Sequence, residues 1–515
     1  MTRYLGIDAS TQSMTGMIID REYGRTLAEI SINFDEHFSQ TYGVTHGVMN
    51  YGSGIVHSFP LMWLEALEML FDSLRREGHD LSTIRGISGS GQQHGTVYLD
   101  DRTDILLRNL STNKPLHKQL AKAFTRPSAP VWMDSSTRDQ CIDIERNVGG
   151  ADALVSLTGN RIYERFSGPQ IRKFFETDPE AYERTAHISL VSSFIASILV
   201  GEVVSVDAGD GSGTNLMDIR SRQWCSAVLE ATAPGLLRRL RPITRSDEPV
   251  GTIHPYFIDR HGFSSDCRVF PFSGDNPCSL IGLGLVEAGA AALSLGTSDT
   301  LFTCTQDAIN AAPDEACLFS SPDDQHYMAL ICFMNGGLAR EAVKNQYQLD
   351  WTGFTDSLVQ TPPGNRGALM LPYFDEEIVP HARQGVIRSN LDASIASDNV
   401  RAVVEAQALS SKIHTQWLDN SGPLHVTGGG SANPEILKIF ANVHNRPVHC
   451  HPTTNAAALG SALKACHGDR PDLPWIDLVT PFVSASAVIE PDPSTLAIYS
   501  ELLDAYQQLE ASISS

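Results

Sequence analysis

No stretch of this sequence spells G-x-x-x-x-G-K-[ST], and no two of its nine cysteines are spaced as C-x-x-C. The first absence excludes a P-loop nucleotide fold. The second, with an odd number of cysteines in a chain of 515 residues, argues against a disulfide framework and for reduced thiols in a cytoplasm. Basic residues are scarce too: 38 Lys and Arg stand against 60 Asp and Glu, a net charge of -22. A nucleic-acid or anionic-membrane surface would need a basic patch, so neither partner is expected. A small nucleotide is not excluded, because backbone dipoles and a metal ion can hold its phosphates. Long apolar runs are also missing. SLVSSFIASILVG is too short to span a membrane, and MTRYLGIDAST shows neither an apolar h-region nor a cleavage site, so no span and no signal peptide are expected.

What is present suggests two large domains, since 515 residues exceed one ordinary core. YLGID and TGMIID are short strands around the polar turn ASTQSM; AALSL and TLFTC flank GTSD in the same way. Two such strand–turn–strand units predict two related domains, each offering a turn to a shared ligand. FPLMWLEALEMLFDSLRREG has apolar residues at helical spacing and ends in Gly, SLVSSFIASILVG is a buried helix, and PSTLAIYSELLDAYQQLEASISS is a C-terminal helix. The Pro-containing polar stretch RPITRSDEPVGTI, residues 241–253, is the expected interdomain connection.

Several segments could carry chemistry. Asp8 closes an apolar strand before Ser10, Thr11, Gln12 and Ser13; such a turn can grip phosphate and Mg²⁺, or merely cap its own backbone. Gly296, Thr297 and Asp299 pose the same choice. VTGGGSANP sets Gly429, Gly430 and Asn433 at a helix start, where backbone N–H groups can meet a ligand or simply turn the chain. SGSGQQHG presents Gln92, Gln93 and His94, and FSGDNP puts Asp275 and Asn276 side by side in a turn, suited to sugar hydroxyls or to an Asx-turn before Pro277. GDGSGTNL is the odd one. Its glycines suit close approach to a phosphate, but Asp210 would repel one and no lysine accompanies it.

Taken in order, GIDAST, SGSGQQHG, WMDSST, TGNRIYERFSG, SLVSSF, DGSGTNL, FSGDNP, SLGTSDT, QHYMALICFMNGG and TGGGSAN resemble the FGGY family of carbohydrate kinases, over Tyr4 to about Gly468. SGSGQQHG, YERF and GDNP point within it to the xylulokinase branch. The resemblance implies an α/β protein of two ribonuclease-H-like, actin-like ATPase domains, residues 1–253 and 254–515, with sugar and ATP in the cleft between them. It implies Asp210 as general base; Gln93, His94, Arg165, Asp275 and Asn276 around a ketose; and Asp8 with Asp210 at Mg²⁺. Thr11, Gln12, Ser13, Gly296 and Thr297 would lie at the phosphates, and Gly429, Gly430, Asn433 and Trp351 at the adenosine. On this resemblance the acid among the glycines is explained, because they aim Asp210 at the sugar hydroxyl, where phosphoryl transfer needs positioning and one proton acceptor. Asp207, three residues earlier, is expected to be structural. The chain departs from many family members in having Met14 and Thr15 where a basic residue follows the first turn. The implied reaction is ATP-dependent conversion of D-xylulose to D-xylulose 5-phosphate in the cytoplasm, with a homodimer among the assemblies open to it. The rival readings are a kinase of another ketose or polyol, and a nucleotide-binding chaperone or sugar sensor on the same fold.

Overall fold

The computed structural model describes residues 2–308, 316–419, 421–451 and 455–513. The first strand–turn–strand unit is β1 (Arg3–Ala9) and β2 (Ser13–Asp20), continued by β3 (Arg25–Asn33), all antiparallel. On the other side of β1 lies β4 (Ile84–Gly91), parallel to it; β5 (Gly251–Thr252) forms the edge beyond β6 (Arg268–Val269), which pairs with β4, and β7 (Ser273–Gly274) also pairs with β4. Between Arg3 and Asp8, β1 is apolar because both of its faces are covered. Leu5 and Ile7 pack under α1 (Pro60–Arg76) with Trp63, Leu67 and Leu70. Tyr4 faces the other way, onto α7 (Ala456–Asp469) with Ala458, Ala462 and Leu463.

The second unit repeats the plan. β8 (Ala291–Leu295) and β9 (Asp299–Thr305) are antiparallel, β11 (Tyr327–Phe333) extends them beyond β9 and β10 (Cys317–Ser320) lies at the edge. β12 (Leu424–Thr427) and β13 (Val448–Cys450) follow in parallel on the other side of β8, with β14 (Ala487–Ile489) antiparallel at the far edge. Each sheet therefore runs through an antiparallel triplet and then a parallel pair. That shared order is the expected internal echo, at the level of topology. α5 (Ala396–Ile413), α6 (Pro434–His444) and α8 (Leu496–Ala511) cover one face through Val400, Val404, Phe440 and Tyr499. α8 fills the expected C-terminal helix, whose last two residues lie outside the described set. Phe302, Phe319 and Met328 on the other face meet Phe166 and Leu280 from the first lobe.

Residues 241–253 are woven into the structure. Ile243–Thr244 pairs with Val206–Asp207, and β5 pairs with β6, because this polar stretch still carries alternating Ile, Thr and Val that can complete a sheet edge. The division expected at 253/254 falls inside the first sheet, whose strands continue to Gly274. The buried helix expected at SLVSSFIASILVG is α2 (Val191–Val200), closed by Gly201 at φ 85°. Among the described residues no helix is long and apolar enough to cross a membrane, and all nine cysteines are free.

Candidate active site

GDGSG does not form an open loop. Ala208–Ser212 is a one-turn helix, α3, following the short strand Val206–Asp207. Asp207 caps it, accepting N–H bonds from Gly209 at 2.8 Å and Asp210 at 3.4 Å. The glycines are needed for approach: a Cβ on Gly209 would lie 2.4 Å from Ser273 Oγ, and one on Gly213 would lie 2.9 Å from Gln93 Nε2. The turn thereby brings Asp210 into a closed environment with 1% exposure. Its Oδ2 accepts a hydrogen bond from Ser192 Oγ, and its Oδ1 has no protein partner.

Opposite α3, β4 leads into Gln92, Gln93 and His94. His94 adopts φ 72°, an unusual conformation for a side chain of this size, and its Nδ1–H donates to Gly213 O at 2.6 Å. That bond leaves Nε2 as an acceptor. Burial, and secondly the charge of Arg165, holds the His94 imidazole neutral, its pKa lowered to about 3. Arg165 lies 4.7 Å from the Tyr163 ring centroid and reaches Cys317 Sγ on β10 at 3.9 Å, so this cation belongs to both lobes. Gln93 Oε1 accepts from Asn276 Nδ2 at 3.0 Å. Asp275 and Asn276 do not form the expected turn: they open a helix, α4 (Asp275–Gly282), because Pro277 is well tolerated in a first helical turn.

Three carboxylates converge here, Asp8 and Asp210 buried and Asp275 half-buried. Burial raises Asp8 to about 6, opposed by hydrogen bonds from Ser90 at 2.7 Å and Asn455 at 3.5 Å. Burial and then the charge of Asp8 raise Asp275 to about 7. Asp210 goes to about 8, through burial first and then the charges of Asp207 and Asp275, against the pull of Ser192 and Lys464. A low-dielectric site with several acids favours protonated forms unless a cation compensates.

The other lobe is built differently. Gly296 and Thr297 lie between β8 and β9, where Gly296 O accepts from Gly337 N at 2.9 Å. Below them, Gly429–Ala432 forms a 3₁₀ turn and Asn433 caps α6, accepting from Glu435 N at 3.0 Å and donating to Thr355 Oγ1 at 2.9 Å. Gly296, Thr297, Gly429, Gly430, Asn433 and the half-exposed Trp351 line one cavity of about 850 Å³, within the size range of nucleotide sites. Thr11, Gln12 and Ser13 are not on its wall. They form the turn between β1 and β2, with Gln12 exposed and Ser13 Oγ 3.2 Å from Ser10 Oγ. Thr11 Oγ1 joins the Gln92 turn at 3.3 Å and accepts from Trp132 Nε1 at 2.9 Å.

The N-terminal-domain profile of the FGGY family of carbohydrate kinases matches residues 3–282, and the C-terminal-domain profile matches residues 291–468. The chain belongs to this family. It is 39% identical to xylulose kinase from Mus musculus over 525 aligned residues, covering 99% of this chain and 94% of that one. Xylulose kinase 2 from Arabidopsis thaliana is 39% identical over 487 residues, covering 90% and 87%. Among solved structures, xylulose kinase from Rhodospirillum rubrum superimposes with a TM-score of 0.85 over 99% of this chain and 98% of that one, at 21% identity, a likeness of fold.

Some residues of this FGGY kinase site escape a reading of motifs. Ser192 is a hydroxyl at the start of an apolar helix, and that polarity is its signal. Asn455 caps α7 and donates to Asp8 from 447 positions away. Trp132 of WMDSST is 46% exposed next to Thr11, where an indole usually marks a ligand-facing surface. Lys464, inside the apolar run GSALKAC, is fully buried and pairs with Asp207 at 3.1 Å. A lysine in such a run requires a buried acid, but local sequence does not say which.

Proposed function

We propose that this FGGY kinase transfers the γ-phosphoryl group of ATP to D-xylulose, giving D-xylulose 5-phosphate and ADP. The observation that carries the reading is Asp210, buried, with one oxygen bonded to Ser192 and the other unpartnered, among residues suited to a polyhydroxylated ligand. Gln93, His94, Asp275 and Asn276 offer amide, imidazole and carboxylate groups to neighbouring hydroxyls, and Arg165 offers a donor from the rim. Asp210 accepts the proton of the attacking hydroxyl as its oxygen bonds to the γ-phosphorus. The bond from the γ-phosphorus to the β–γ bridging oxygen breaks, and ADP departs with that oxygen. The wall of Gly296, Thr297, Gly429, Gly430 and Asn433 admits the nucleotide against backbone, and Trp351 offers a face to the adenine. Thr11, Gln12 and Ser13 face the phosphates from the opposite lobe.

The acidic trio fits a divalent cation. Asp8 and Asp210 would hold Mg²⁺, which supplies charge neutralisation at the phosphates. The fit rests on the orphan Asp210 Oδ1 and on the upward shifts at Asp8, Asp210 and Asp275, which nearby positive charge would reverse. An ionised Asp210 is the form able to take a proton. Nine free cysteines support a reducing, cytoplasmic setting.

Release of ADP from purified protein, measured against a panel of pentuloses, hexuloses and polyols, tests the reading. The highest kcat/KM is expected with D-xylulose, with ³¹P and ¹³C spectra placing the phosphate on C5. A higher value for another acceptor would reassign the substrate, and no turnover with any of them would sink the kinase reading.

A further inference from the structure

Asp207 does more than cap a helix. Its Oδ1 accepts from Gly209 N, Asp210 N and Ser273 Oγ, and its Oδ2 accepts from Ser246 Oγ and Lys464 Nζ. Both charged partners have 0% side-chain exposure. The donors come from four places in the chain: α3 itself, the segment after Ile243–Thr244, β7 and α7. Three of these lead to the acids of the site. α3 carries Asp210, Ser273 lies two residues before Asp275, and α7 begins at Asn455, which donates to Asp8. We infer that Asp207 and Lys464 are a positioning pair, a buried ion pair that fixes where Asp210 Oδ1 points relative to Asp8 and Asp275. This rests on Asp210 being the proton acceptor. A carboxylate with five donors has its acceptor capacity saturated and cannot rotate without breaking one of them. A helix of five residues has too little hydrogen bonding of its own to hold a fixed direction.

The surroundings give this pair an unusual handle. Lys464 and Ser246 also lie on the wall of a separate cavity of about 720 Å³, together with His467 and Trp475, and Asp210 is not on that wall. Shortening Lys464 therefore leaves Asp207 facing space that a small cation can enter without crossing the substrate site.

The test uses Lys464→Ala, assayed by ADP release with whichever acceptor the wild type turns over fastest. Loss of about 10²-fold in kcat is expected, as for a misplaced catalytic group, with KM for the sugar little changed. Methylammonium or ethylammonium should restore kcat in a saturable manner, and the bulkier tetramethylammonium should not. Amide exchange across residues 208–212 should be faster in the variant and slow again with the small amine. Because a buried half-pair can prevent folding, the double variant Asp207→Asn with Lys464→Met is measured alongside; removing both charges should restore thermal stability but not kcat. If kcat recovers with stability in the double variant, or if Lys464→Ala is fully active, the pair is only structural and the inference falls. A folded Lys464→Ala that is slow and unresponsive to amines overturns it as well. Failure of the kinase reading would instead show in the wild type, as absence of turnover with every acceptor.

Discussion

The two lobes share a strand order and differ in what they do with it. In the first, the strand ends and helix starts carry carboxylates with little exposure: Asp8 4%, Asp210 1%. In the second, the equivalent region carries glycines and an indole around an open cavity, and its buried acid, Asp299, is neutralised by Arg340 at 2.8 Å. A proton acceptor works through a tuned pKa and exclusion of water, so it is enclosed. On the proposed reading a nucleotide must enter and leave the second lobe, and backbone groups that hold it would need room. The same scaffold thus supports a dry half-site rich in acids and a wet one built largely on glycine backbone.

The largest expected effect comes from breaking the dry half at its centre. Asp210→Asn keeps the shape of the side chain and the Ser192 contact but cannot take up a proton, so kcat should fall by roughly 10²–10⁴-fold, as for a positioned general base. Binding of ATP and xylulose, followed separately by calorimetry, should change little. Near-normal turnover would remove Asp210 from the mechanism.

Asp275→Ala should come next. It removes an acceptor and leaves buried donors unpaired, a loss of about 1–3 kcal/mol, or about 10- to 10²-fold in xylulose affinity. ATP affinity should stay close to the wild-type value. An equal loss for both ligands would mean that the lobes are not separable in the way their composition suggests.

The wet half can be probed without disturbing the dry one. A Cβ on Gly429 would meet nothing within 4 Å, so Gly429→Val projects bulk into the cavity and not into the fold. KM for ATP should rise while xylulose binding and melting temperature hold. Trp351→Ala should do the same more gently, since an aromatic stack contributes about 0.5–1.5 kcal/mol. Unchanged KM for ATP in both variants would place the nucleotide elsewhere.

The remaining effect is on stability and follows pH. Burial raises Asp210 from 3.8 to about 8. The folded protein therefore retains a proton that the unfolded chain releases above about pH 4. The stability associated with that proton is complete below the unfolded pKa and is lost as pH rises through the folded one. Asparagine has no such loss. In metal-free buffer, Asp210→Asn should melt with the wild type near pH 4 and above it at pH 8, in calorimetric scans. A constant difference across that range would show that the carboxyl is not held protonated.

Much of this was legible in the sequence. YLGID and TGMIID had to be strands because apolar runs bounded a polar turn, and the repeat at residues 291–305 announced a second sheet. Asp210 stood out because a carboxylate in a glycine-rich segment is out of place at a phosphate. The local form of that segment was not legible. Three glycines in five residues argue against a helix, and α3 exists because Asp207 caps it and the surrounding donors fix Asp207. Nor could the sequence show that Lys464 answers Asp207 across 257 positions, or that residues 241–253 would edge two sheets. Such pairings are set by tertiary contacts, and their residues have no local periodicity to betray them.

α7 has one more consequence. It packs into the groove beside β1 so closely that a Cβ on Gly6 would lie 2.0 Å from Ala458 O. Tyr4, Met17 and Ile19, among the earliest residues made, pack with Phe270 and Ile281 from mid-chain and with Ala458, Ala462 and Leu463 from near its end. During synthesis that face of the first sheet therefore stays only partly covered until nearly nine-tenths of the polypeptide has left the ribosome. The lobe that begins first is thus completed only after most of the second has been made, and a nascent chain arrested between the two sheets carries a part-covered apolar face instead of a completed domain.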